Sequence, residues 1–511
     1  MRICLINPII QDSLADNDVL AKWPPLGIAY IAAVLERGGH EVKIIERRHL
    51  IGSLERTEKN IKSLNDLTHQ QIAGFKPDIV GFTATTPLIM DACRAAKVVK
   101  SYAPSIKVVA GGPHPMALPE RTLTECDALD AVCLGEGEVA MSQLAGGAPI
   151  EQIPGFVYRT SDGIIRNNTT KDIIKNLDDI PFPAWRLLDE NFYFTPNPNL
   201  IRGFHLRGTS IIAARGCPFK CAFCQSPQMA SLEGRNIFRF RSAANITEEI
   251  KFLRRTYGVE IILFAEDIFS LARKNIVSIC EQIKKEDLNK EIKFAVNMRV
   301  DTVDAVLLEH LRSAGVVRVI YGCESGSQKT LDRINKKITV EKNYEAIRLT
   351  KEVGITCEAN IMMGLPDETE EDIKKTIRFL KKTRPDRINR GKFFPLPGSR
   401  FFDEYVAKGV ITIPSDWNTL YDHYVLGKFT FALMSPERLR YLQDKMDREI
   451  TLPVNYIFRI NANYRNQPVK ALRIYILMFI HCAFLYIPIR FRNIIKWSGR
   501  AVGIRSKFIF E

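Results

Sequence analysis

The sequence lacks the features that mark a secreted or disulfide-bonded protein. Its eleven cysteines stand singly apart from one cluster, a distribution that excludes a disulfide framework and favours a reducing compartment. The apolar run at residues 2–6 is too short for a secretory signal, and no small-residue cleavage site follows it. We therefore predict a cytoplasmic protein. Its 511 residues, 46% of them apolar, are enough for roughly two to four domains with ordinary buried cores.

The net charge is +14, but little of this excess basic charge lies outside the last 61 residues of the sequence. Residues 451–511 hold ten Lys and Arg and one acidic residue, Glu511. The rest of the chain is close to charge balance for its length. The sequence therefore predicts no basic groove in the body of the protein and no nucleic-acid partner.

Three cysteines lie within eight residues, at Cys217, Cys221 and Cys224, with the spacing C-x3-C-x2-C. No fourth cysteine or histidine is close enough in the sequence to complete a local tetrahedral site, and the next cysteine is Cys280. Three thiolates can hold three irons of a cubane cluster and leave the fourth iron open to a small molecule, whereas structural zinc normally has four protein ligands. The pattern predicts a catalytic metal centre. A zinc knuckle with a distant fourth ligand and a chance grouping of buried thiols stay open as alternatives.

Residues 1–145 alternate between short apolar runs and segments with helical periodicity. Nearly continuous apolar strands are typical of a parallel sheet covered on both faces, so we predict a Rossmann-like (flavodoxin-like) α/β domain. Ligands bind beyond the carboxyl ends of such strands. No G-x-G-x-x-G follows the first strand, so a dinucleotide is not expected. The predicted strands are Arg2–Ile6, Glu41–Ile45, Asp78–Thr83, Lys107–Gly112 and Ala131–Glu136.

Small and hydroxyl-bearing residues follow these strands. Glycine lets a backbone approach a bulky ligand closely, and threonine can donate a hydrogen bond to the polar edge of a ligand. The strand ends predict a small-molecule site, with a ligand-free structural role as the alternative. The candidate binding residues are Thr83, Thr85, Gly111, Gly112, Pro113, His114, Gly135 and Glu136.

Strands and helices alternate again over residues 206–400, after a connector at residues 146–205 that contains a predicted hairpin with Asp162–Gly163 at its turn. Six parallel strands are predicted, and the active sites of α/β barrels form at the carboxyl ends of the strands. Polar residues and turns follow the strands, namely Glu266 and Asp267, Asn297 and Arg299, Glu324, and the turn at Gly364–Pro366. The predicted strands are Ser210–Ala214, Val259–Phe264, Lys293–Asn297, Val316–Gly322, Ile355–Met362 and Asn389–Phe394.

Residues 401–511 are predicted to form a mostly helical region with a basic, apolar tail. The stretch Ile474–Ile489 is uncharged and apolar, and its sixteen residues fall short of the roughly 20 that a membrane-spanning helix needs. Arg473, Arg490 and further basic residues flank it. Three interpretations stay open: residues 465–511 rest peripherally on an anionic membrane, they form a buried helical hairpin, or they span a bilayer.

The cysteine motif, with Phe223 just before its last cysteine, resembles the cluster motif of the radical S-adenosylmethionine enzymes. The stretches Trp23–Tyr30, Gly111–His114 and Gly135–Glu138 resemble the cobalamin-binding domain that precedes the radical domain in the cobalamin-dependent members. The D-x-H-x-x-G motif, which supplies an imidazole to cobalt in other cobalamin proteins, does not occur. Its absence is usual in this subfamily. A degenerate domain that has lost its cofactor remains the alternative.

The resemblance implies a partial (β/α)6 radical barrel, three cofactors and roles for particular residues. Cys217, Cys221 and Cys224 would bind a [4Fe-4S] cluster, whose open iron chelates S-adenosylmethionine and cleaves it to a 5′-deoxyadenosyl radical. The strand ends of the first domain would bind cobalamin. Glu266 and Asp267 depart from the commoner Asp-first pattern, which leaves their role open. The expected contacts of S-adenosylmethionine are Phe223 near the adenine, Arg299 facing the cosubstrate, Glu324 at the ribose or amino group, and Gly364 and Pro366 in the turn that supports the adenine.

The resemblance further implies methyl transfer to an unactivated carbon of a small, hydrophobic substrate, lipid-like or a tetrapyrrole. One S-adenosylmethionine would methylate the reduced cobalamin, and a second would supply the radical that activates the substrate. An oxidative cyclase or rearranging enzyme, similar to anaerobic magnesium-protoporphyrin monomethyl ester cyclase, is the enzymatic alternative, and a cobalamin- or redox-sensing regulator is the non-enzymatic one. A flavodoxin or ferredoxin is expected to donate electrons. The expected location is the cytoplasm, with peripheral contact on the inner face of the membrane through the tail.

Overall fold

Two sheets of mainly parallel strands form the framework of the protein. The computed structural model describes residues 1–10, 23–51, 57–160, 162–163, 165–167, 174–196, 206–227, 238–413, 417–418 and 429–450. Each sheet alternates with helices along the chain, which confirms the α/β prediction.

The first sheet has seven strands in the order β2-β1-β3-β4-β5-β6-β7. The strands β1 to β5 pair in parallel, whereas β5, β6 and β7 pair antiparallel. Neighbouring residues of β1 face opposite cores: Cys4 and Ile6 belong to one apolar cluster, and Ile3 and Leu5 to another. Helices therefore cover both faces, as the apolar runs predict. The strands are β1 (Arg2–Asn7), β2 (Glu41–Glu46), β3 (Ile79–Thr83), β4 (Lys107–Gly111), β5 (Ala131–Cys133), β6 (Phe156–Arg159) and β7 (Ile165–Asn167).

The helices of this half lie between its strands in the chain, and those before β5 connect parallel strands. They are Leu26–Arg37, Arg47–Leu50, Glu58–Phe75, Ile89–Tyr102, Pro113–Ala117, Pro119–Glu125 and Gly137–Ala145, with the short helix Glu190–Tyr193 in the connector and 3-10 turns at Thr86–Leu88, Ile150–Gln152, Leu177–Asp179 and Trp185–Leu187.

The connector joins the two sheets. Its hairpin adds β6 and β7 to the first sheet, and the N–H of Gly163 donates to the carbonyl of Thr160 at the turn. The buried Trp185 indole donates to Glu249 of the second half over 3.2 Å, and the Tyr193 hydroxyl donates to Glu46 at the end of β2 over 2.8 Å. The segment predicted as a connector is thus packed against both halves.

The second sheet has six parallel strands in the order β8-β11-β12-β13-β14-β15. Each strand pairs with the next one along the chain, which is how (β/α) barrels are built, and the first and last strands do not pair with each other. This confirms the prediction of six parallel strands in a partial barrel. The strands are β8 (Gly208–Ile211), β11 (Ile261–Phe264), β12 (Lys293–Met298), β13 (Val316–Glu324), β14 (Thr356–Met363) and β15 (Arg387–Lys392), and β9 (Ala214–Arg215) and β10 (Arg239–Phe240) form a small antiparallel pair.

A helix follows most of the barrel strands, and further helices follow the last strand, β15. The last described helix, Pro436–Ile450, packs on Glu370–Thr383 and is fastened to it by Arg438, whose guanidinium donates to both oxygens of Glu370. The helices are Ala243–Tyr257, Arg273–Lys285, Leu288–Glu291, Ala305–Ser313, Gln328–Arg333, Val340–Glu352, Glu370–Thr383, Arg400–Ala407 and Pro436–Ile450, with 3-10 turns at Phe269–Leu271 and Val300–Thr302.

The basic, apolar tail at residues 465–511 lies outside the described residues, so its three interpretations remain predictions. Among the helices that are described, none combines the length and the apolar composition needed to cross a bilayer.

Candidate active site

The three clustered cysteines lie on the cysteine loop, residues 216–227, which follows β9 and is hydrogen-bonded to the barrel. The N–H of Ala222 donates to the carbonyl of Ile334 over 2.9 Å, and the N–H of Phe401 donates to the carbonyl of Ala222 over 3.0 Å. The side chain of Gln225 donates to the carbonyl of Pro397 over 2.6 Å. The loop is therefore fixed from two separate parts of the barrel, although it has no regular structure.

Burial keeps the metal-free thiols protonated. It raises the pKa of Cys217 to about 11 and also raises the pKa values of Cys221 and Cys224. Other groups favour the thiolates: the N–H of Ser226 donates to Sγ of Cys224 over 3.4 Å, and the charge of Lys336 acts on Cys221. A metal bound here would displace the protons and use these donors.

Three cysteines without a fourth ligand in the motif are the donor set of a cubane cluster with one open iron. Within the described residues, no three His, Cys, Asp or Glu side chains are arranged around one ion. Each cysteine of a cubane binds a different iron, so its sulfurs need not converge on one point. Together with the N–H···S donor at Cys224 and the partly buried position of the three thiols, this arrangement fits a [4Fe-4S] cluster held by Cys217, Cys221 and Cys224.

A buried ion pair lies beside the cysteines. Glu324 ends β13 with a φ of 62°, and its carboxylate accepts a hydrogen bond from the ammonium of Lys336 over 2.7 Å. Burial acts against the charged form of Lys336, but Glu324 and Cys221 outweigh it and raise the pKa of the ammonium. The guanidinium of Arg299 lies 3.7 Å from the ring centroid of Phe219 in the cysteine loop and pairs with Asp301. Two cations therefore flank the loop from the barrel.

A cavity of about 430 Å³ connects the two halves of the protein. Its walls come from the carboxyl ends of the first sheet on one side and from the cysteine loop and the end of β11 on the other. The lining includes Gly27, Thr83, Gly111, Gly112, Pro113, Gly135 and Glu136 from the first half, and Arg215, Gly216, Cys217, Ser226, Glu266 and Asp267 from the second.

The first-half wall fits a large, mostly apolar ring with polar edges. A Cβ added at Gly27 would meet no atom within 4 Å, so this backbone opens onto free space. Gly112 has a φ of 94°, and a Cβ there would lie 2.9 Å from the backbone N and O of Ala84. Only glycine allows this turn. Thr83 provides a polar group beside these glycines, so the wall fits cobalamin.

Arginine–glutamate pairs join the two walls of the cavity. Arg215, next to the cysteine loop, pairs with Glu138 at 2.7 Å and with Glu136 at 3.2 Å. Arg239 also donates to Glu136, and the Arg215 guanidinium lies 5.1 Å from the ring centroid of Tyr30. Glu136, a predicted cobalamin residue, lines the cavity, but its carboxylate is engaged by two arginines.

Glu266 is a second buried acid of the cavity wall, besides Glu138. Its Oε2 accepts from the N–H of Ala213 over 3.2 Å, whereas Oε1 has no hydrogen-bond partner among the described residues. Burial raises the pKa of Glu266 to about 8, so the carboxyl is largely protonated at neutral pH. Its neighbour Asp267 accepts a hydrogen bond from the hydroxyl of Ser226 over 2.9 Å. These contacts place Glu266 and Asp267 beside the cysteine loop.

Six of the eight predicted cobalamin residues line the cavity, whereas Cys217 is the one predicted cluster or S-adenosylmethionine residue in its lining. Thr85 is exposed and is not part of the cavity lining. His114 is fully buried, and its Nδ1 lies 3.2 Å from the hydroxyl of Thr86, while its ring packs edge-on against Trp417 with the centroids 4.7 Å apart. Its side chain therefore belongs to the packing between the first half and residue 417, outside the cavity.

The residues predicted to bind S-adenosylmethionine lie in the barrel half. Phe223 is in the cysteine loop, 5.7 Å by its ring centroid from the ammonium of Lys336. The Gly364–Pro366 turn is buried and held by Glu368, which accepts from the N–H of Gly364 over 2.8 Å. A Cβ on Gly364 would lie 2.9 Å from the side chain of Leu439, so this turn is also covered by the last described helix.

Sequence reasoning missed Lys336 and the pairing role of Arg215, Arg239 and Glu138. Arg215 and Glu138 lie in stretches that the motifs already identify, but their pairing across the two halves has no sequence signal. Lys336 follows the helix Gln328–Arg333 and belongs to no motif that would identify it in a single sequence.

Comparisons with known proteins agree with this arrangement. Residues 14–145 match the B12 binding domain, and residues 211–380 match the radical SAM superfamily. An uncharacterized methyltransferase of Pyrococcus horikoshii is 33% identical over 80% of this chain and 84% of its own length. Anaerobic magnesium-protoporphyrin IX monomethyl ester cyclase of Rubrivivax gelatinosus is 30% identical over 96% of this chain and 79% of its own length.

The fold is also similar to a solved structure. The radical S-adenosylmethionine methyltransferase TsrM from Kitasatospora setae, with cobalamin and a [4Fe-4S] cluster bound, superposes with a TM-score of 0.62 at 16% identity. The match covers 81% of this chain and 76% of that one. At this identity the likeness concerns the fold alone.

Proposed function

Because the chain belongs to the cobalamin-dependent radical S-adenosylmethionine enzymes, we propose that it transfers a methyl group to an unactivated carbon of a small, hydrophobic substrate. The cofactors of this family are a [4Fe-4S] cluster, S-adenosylmethionine and cobalamin. When bound, they supply a carbon-centred radical at the cluster and a transferable methyl group at the cobalt.

One observation carries the proposal: a single cavity is lined both by the glycine-rich strand ends of the first half and by Cys217. A substrate in this cavity would reach the methyl donor from one side and the radical source from the other. Proximity of this kind replaces an encounter between separate reactants. The apolar residues Ile212 and Met116 in the same lining favour a substrate with apolar surface.

The residues of this chain take distinct parts in the proposed reaction. Cys217, Cys221 and Cys224 hold the cluster and leave one iron to S-adenosylmethionine. Glu324 and Arg299 are the charged groups for the amino-acid and ribose ends of that cosubstrate, since charge-assisted hydrogen bonds are the strong ones. Thr83, Gly111, Gly112, Pro113 and Gly135 form the wall against which cobalamin packs.

Anaerobic reconstitution tests the proposal. The protein with iron, sulfide, cobalamin, S-adenosylmethionine and a reductant is expected to form both 5′-deoxyadenosine and S-adenosylhomocysteine. The Cys221→Ala variant is expected to form no 5′-deoxyadenosine, whereas Cys280→Ala, on a helix away from the loop, is expected to form it at the level of the unaltered protein. Absence of both products from a protein with a full cluster would contradict the proposal.

Oxidative cyclisation is the second candidate, because the cyclase relative matches 96% of this chain. The methyl label of S-adenosylmethionine separates the two reactions. Label found in the product supports methyl transfer, whereas product without label, accompanied by 5′-deoxyadenosine, supports cyclisation. For either reaction we propose a lipid-like or tetrapyrrole substrate, a flavodoxin or ferredoxin as electron donor, and a peripheral membrane contact through residues 465–511.

A further inference from the structure

The ion pair of Glu324 and Lys336 occupies an unusual place at the end of β13. Both residues are more than nine-tenths buried, and the carboxylate and the ammonium are 2.7 Å apart. Glu324 has a φ of 62°, which a residue with a side chain rarely adopts. Burying two charges is costly unless they are paired, so the fold maintains this pair against desolvation and backbone strain together.

The backbone around the pair leaves just enough room for it. A Cβ added at Gly322 would lie 2.6 Å from Oε1 of Glu324 and 2.9 Å from Nζ of Lys336. Real Cβ atoms do not approach other atoms this closely, so a side chain at position 322 would push the pair apart. The lack of a side chain at Gly322 thus leaves the space that the two charges occupy.

The ammonium of Lys336 faces the cysteine loop. It lies 5.7 Å from the ring centroid of Phe223, and its charge acts on both Cys221 and Cys224. Among the described residues, the carboxylate of Glu324 is the hydrogen-bond acceptor of this ammonium. The neighbouring Lys337 is exposed, so two adjacent lysines have opposite environments.

We propose that Lys336 is a positioning residue of the cluster site, which holds Glu324 for S-adenosylmethionine and supplies a buried positive charge that favours reduction of the cluster. This inference rests on the proposed function, because it takes Cys217, Cys221 and Cys224 to be cluster ligands.

Two physical consequences follow. Reduction adds one negative charge to a cluster, and a cation nearby stabilises that charge most strongly where water is excluded. Removal of the ammonium is therefore expected to lower the reduction potential of the cluster. It also leaves Glu324 without the partner that fixes its carboxylate, so S-adenosylmethionine is expected to bind about tenfold more weakly or worse.

The test compares Lys336→Met and Lys336→Arg with the matched control Lys337→Met, all as full-length, anaerobically reconstituted protein. Iron and sulfide content establishes that the cluster is present. Redox titration followed by electron paramagnetic resonance gives the potential, and equilibrium dialysis gives the affinity for S-adenosylmethionine. We expect a lower potential and weaker binding in K336M, recovery of the potential in K336R, and values of the unaltered protein in K337M.

Glu324→Gln keeps the test decisive if K336M fails to hold a cluster. It removes the negative partner and keeps the ammonium, so the potential is expected to rise, opposite to the shift in K336M, while cosubstrate binding weakens. A purely structural pair would not give shifts of opposite sign. Unchanged potentials in K336M, or in E324Q if K336M holds no cluster, would overturn the inference.

Failure of the proposed function would look different. In that case the unaltered protein itself would bind no cluster or would form no 5′-deoxyadenosine. The role of Lys336 is refuted only by variants that match a fully competent unaltered protein.

Discussion

Gly322 shows how a single residue decides the geometry of the site. Its missing side chain leaves the space that Glu324 and Lys336 fill, and no local periodicity reveals that need. The turn at Gly364–Pro366 depends in the same way on one buried side chain, Glu368. At this scale the sequence identifies candidates, and the neighbours of each residue determine what it does.

Gly322→Ala is expected to lower the free energy of unfolding by roughly 1–3 kcal/mol, because overpacking forces a buried ion pair to move. Gly391→Ala is the matched control: Gly391 lies in β15 of the same sheet, and its added Cβ would meet no atom within 4 Å. Thermal unfolding of both variants measures the effect. Equal midpoints for the two variants would show that the pair moves without cost.

Glu368→Gln is expected to change how stability depends on pH. Burial raises the pKa of Glu368 to about 8, so between pH 4.5 and 8 the folded protein keeps a proton that the unfolded chain releases. Protonated Glu368 makes its full contribution to the free energy of unfolding below pH 4.5, and this contribution is lost as the pH rises to about 8. The loss is on the order of a few kcal/mol.

The neutral Gln keeps an oxygen that can accept from the N–H groups of Gly364 and Leu365. Chemical unfolding at pH 5, 6.5 and 8 should therefore show a smaller fall in stability in the variant than in the unaltered protein. Parallel pH profiles would contradict the raised pKa.

Among the elements, β9 and the cysteine loop depend on partners from the other half of the protein. Arg215 ends β9 and pairs with Glu138, which lies in the first turn of the helix Gly137–Ala145. The strands themselves follow from apolar runs in the sequence. The attachment of a two-residue strand to a distant helix does not, because it depends on side chains that meet only in the folded protein.

Glu138→Gln is expected to lower the free energy of unfolding by about 1–3 kcal/mol, since it leaves the partly buried Arg215 with one acidic partner fewer. Asp127→Asn is the control, because Asp127 pairs with Lys97 while their side chains are 81% and 60% exposed. Exposed pairs contribute little, so this change should stay within about 0.5 kcal/mol. Similar losses in the two variants would argue against a structural role for the pair at β9.

For the whole molecule, residue 417 connects the C-terminal part to the first sheet domain. The Trp417 indole donates to Glu125 over 2.9 Å, a contact between residues 292 positions apart, and its ring packs on His114. This contact explains why His114, predicted at the cobalamin site, is a packing residue. The two halves are therefore held together both at the cavity and at this second place.

Trp417→Ala is expected to cost about 3–5 kcal/mol of stability, as large aromatic deletions in cores do. Hydrogen exchange should become faster in the helix Pro119–Glu125, because Glu125 keeps its pair with Arg121 in the same helix but loses its hydrogen bond to residue 417. Tyr441→Ala, in the exposed part of the last described helix, should leave exchange in Pro119–Glu125 unchanged. Protection of that helix in the Trp417 variant would contradict the proposed connection.

The sequence by itself determined the two α/β halves, the six parallel strands of the barrel, the family and the three cysteines. These features are encoded locally, in apolar runs and in spacings of a few residues, and local patterns can be read without a fold. Only the tertiary structure decided that Lys336 lies beside the cysteine loop, that Glu136 pairs with arginines, and that Thr85 and His114 are the two predicted cobalamin residues outside the cavity. Those outcomes depend on which distant side chains meet, and buried charges require specific partners that chain order does not reveal.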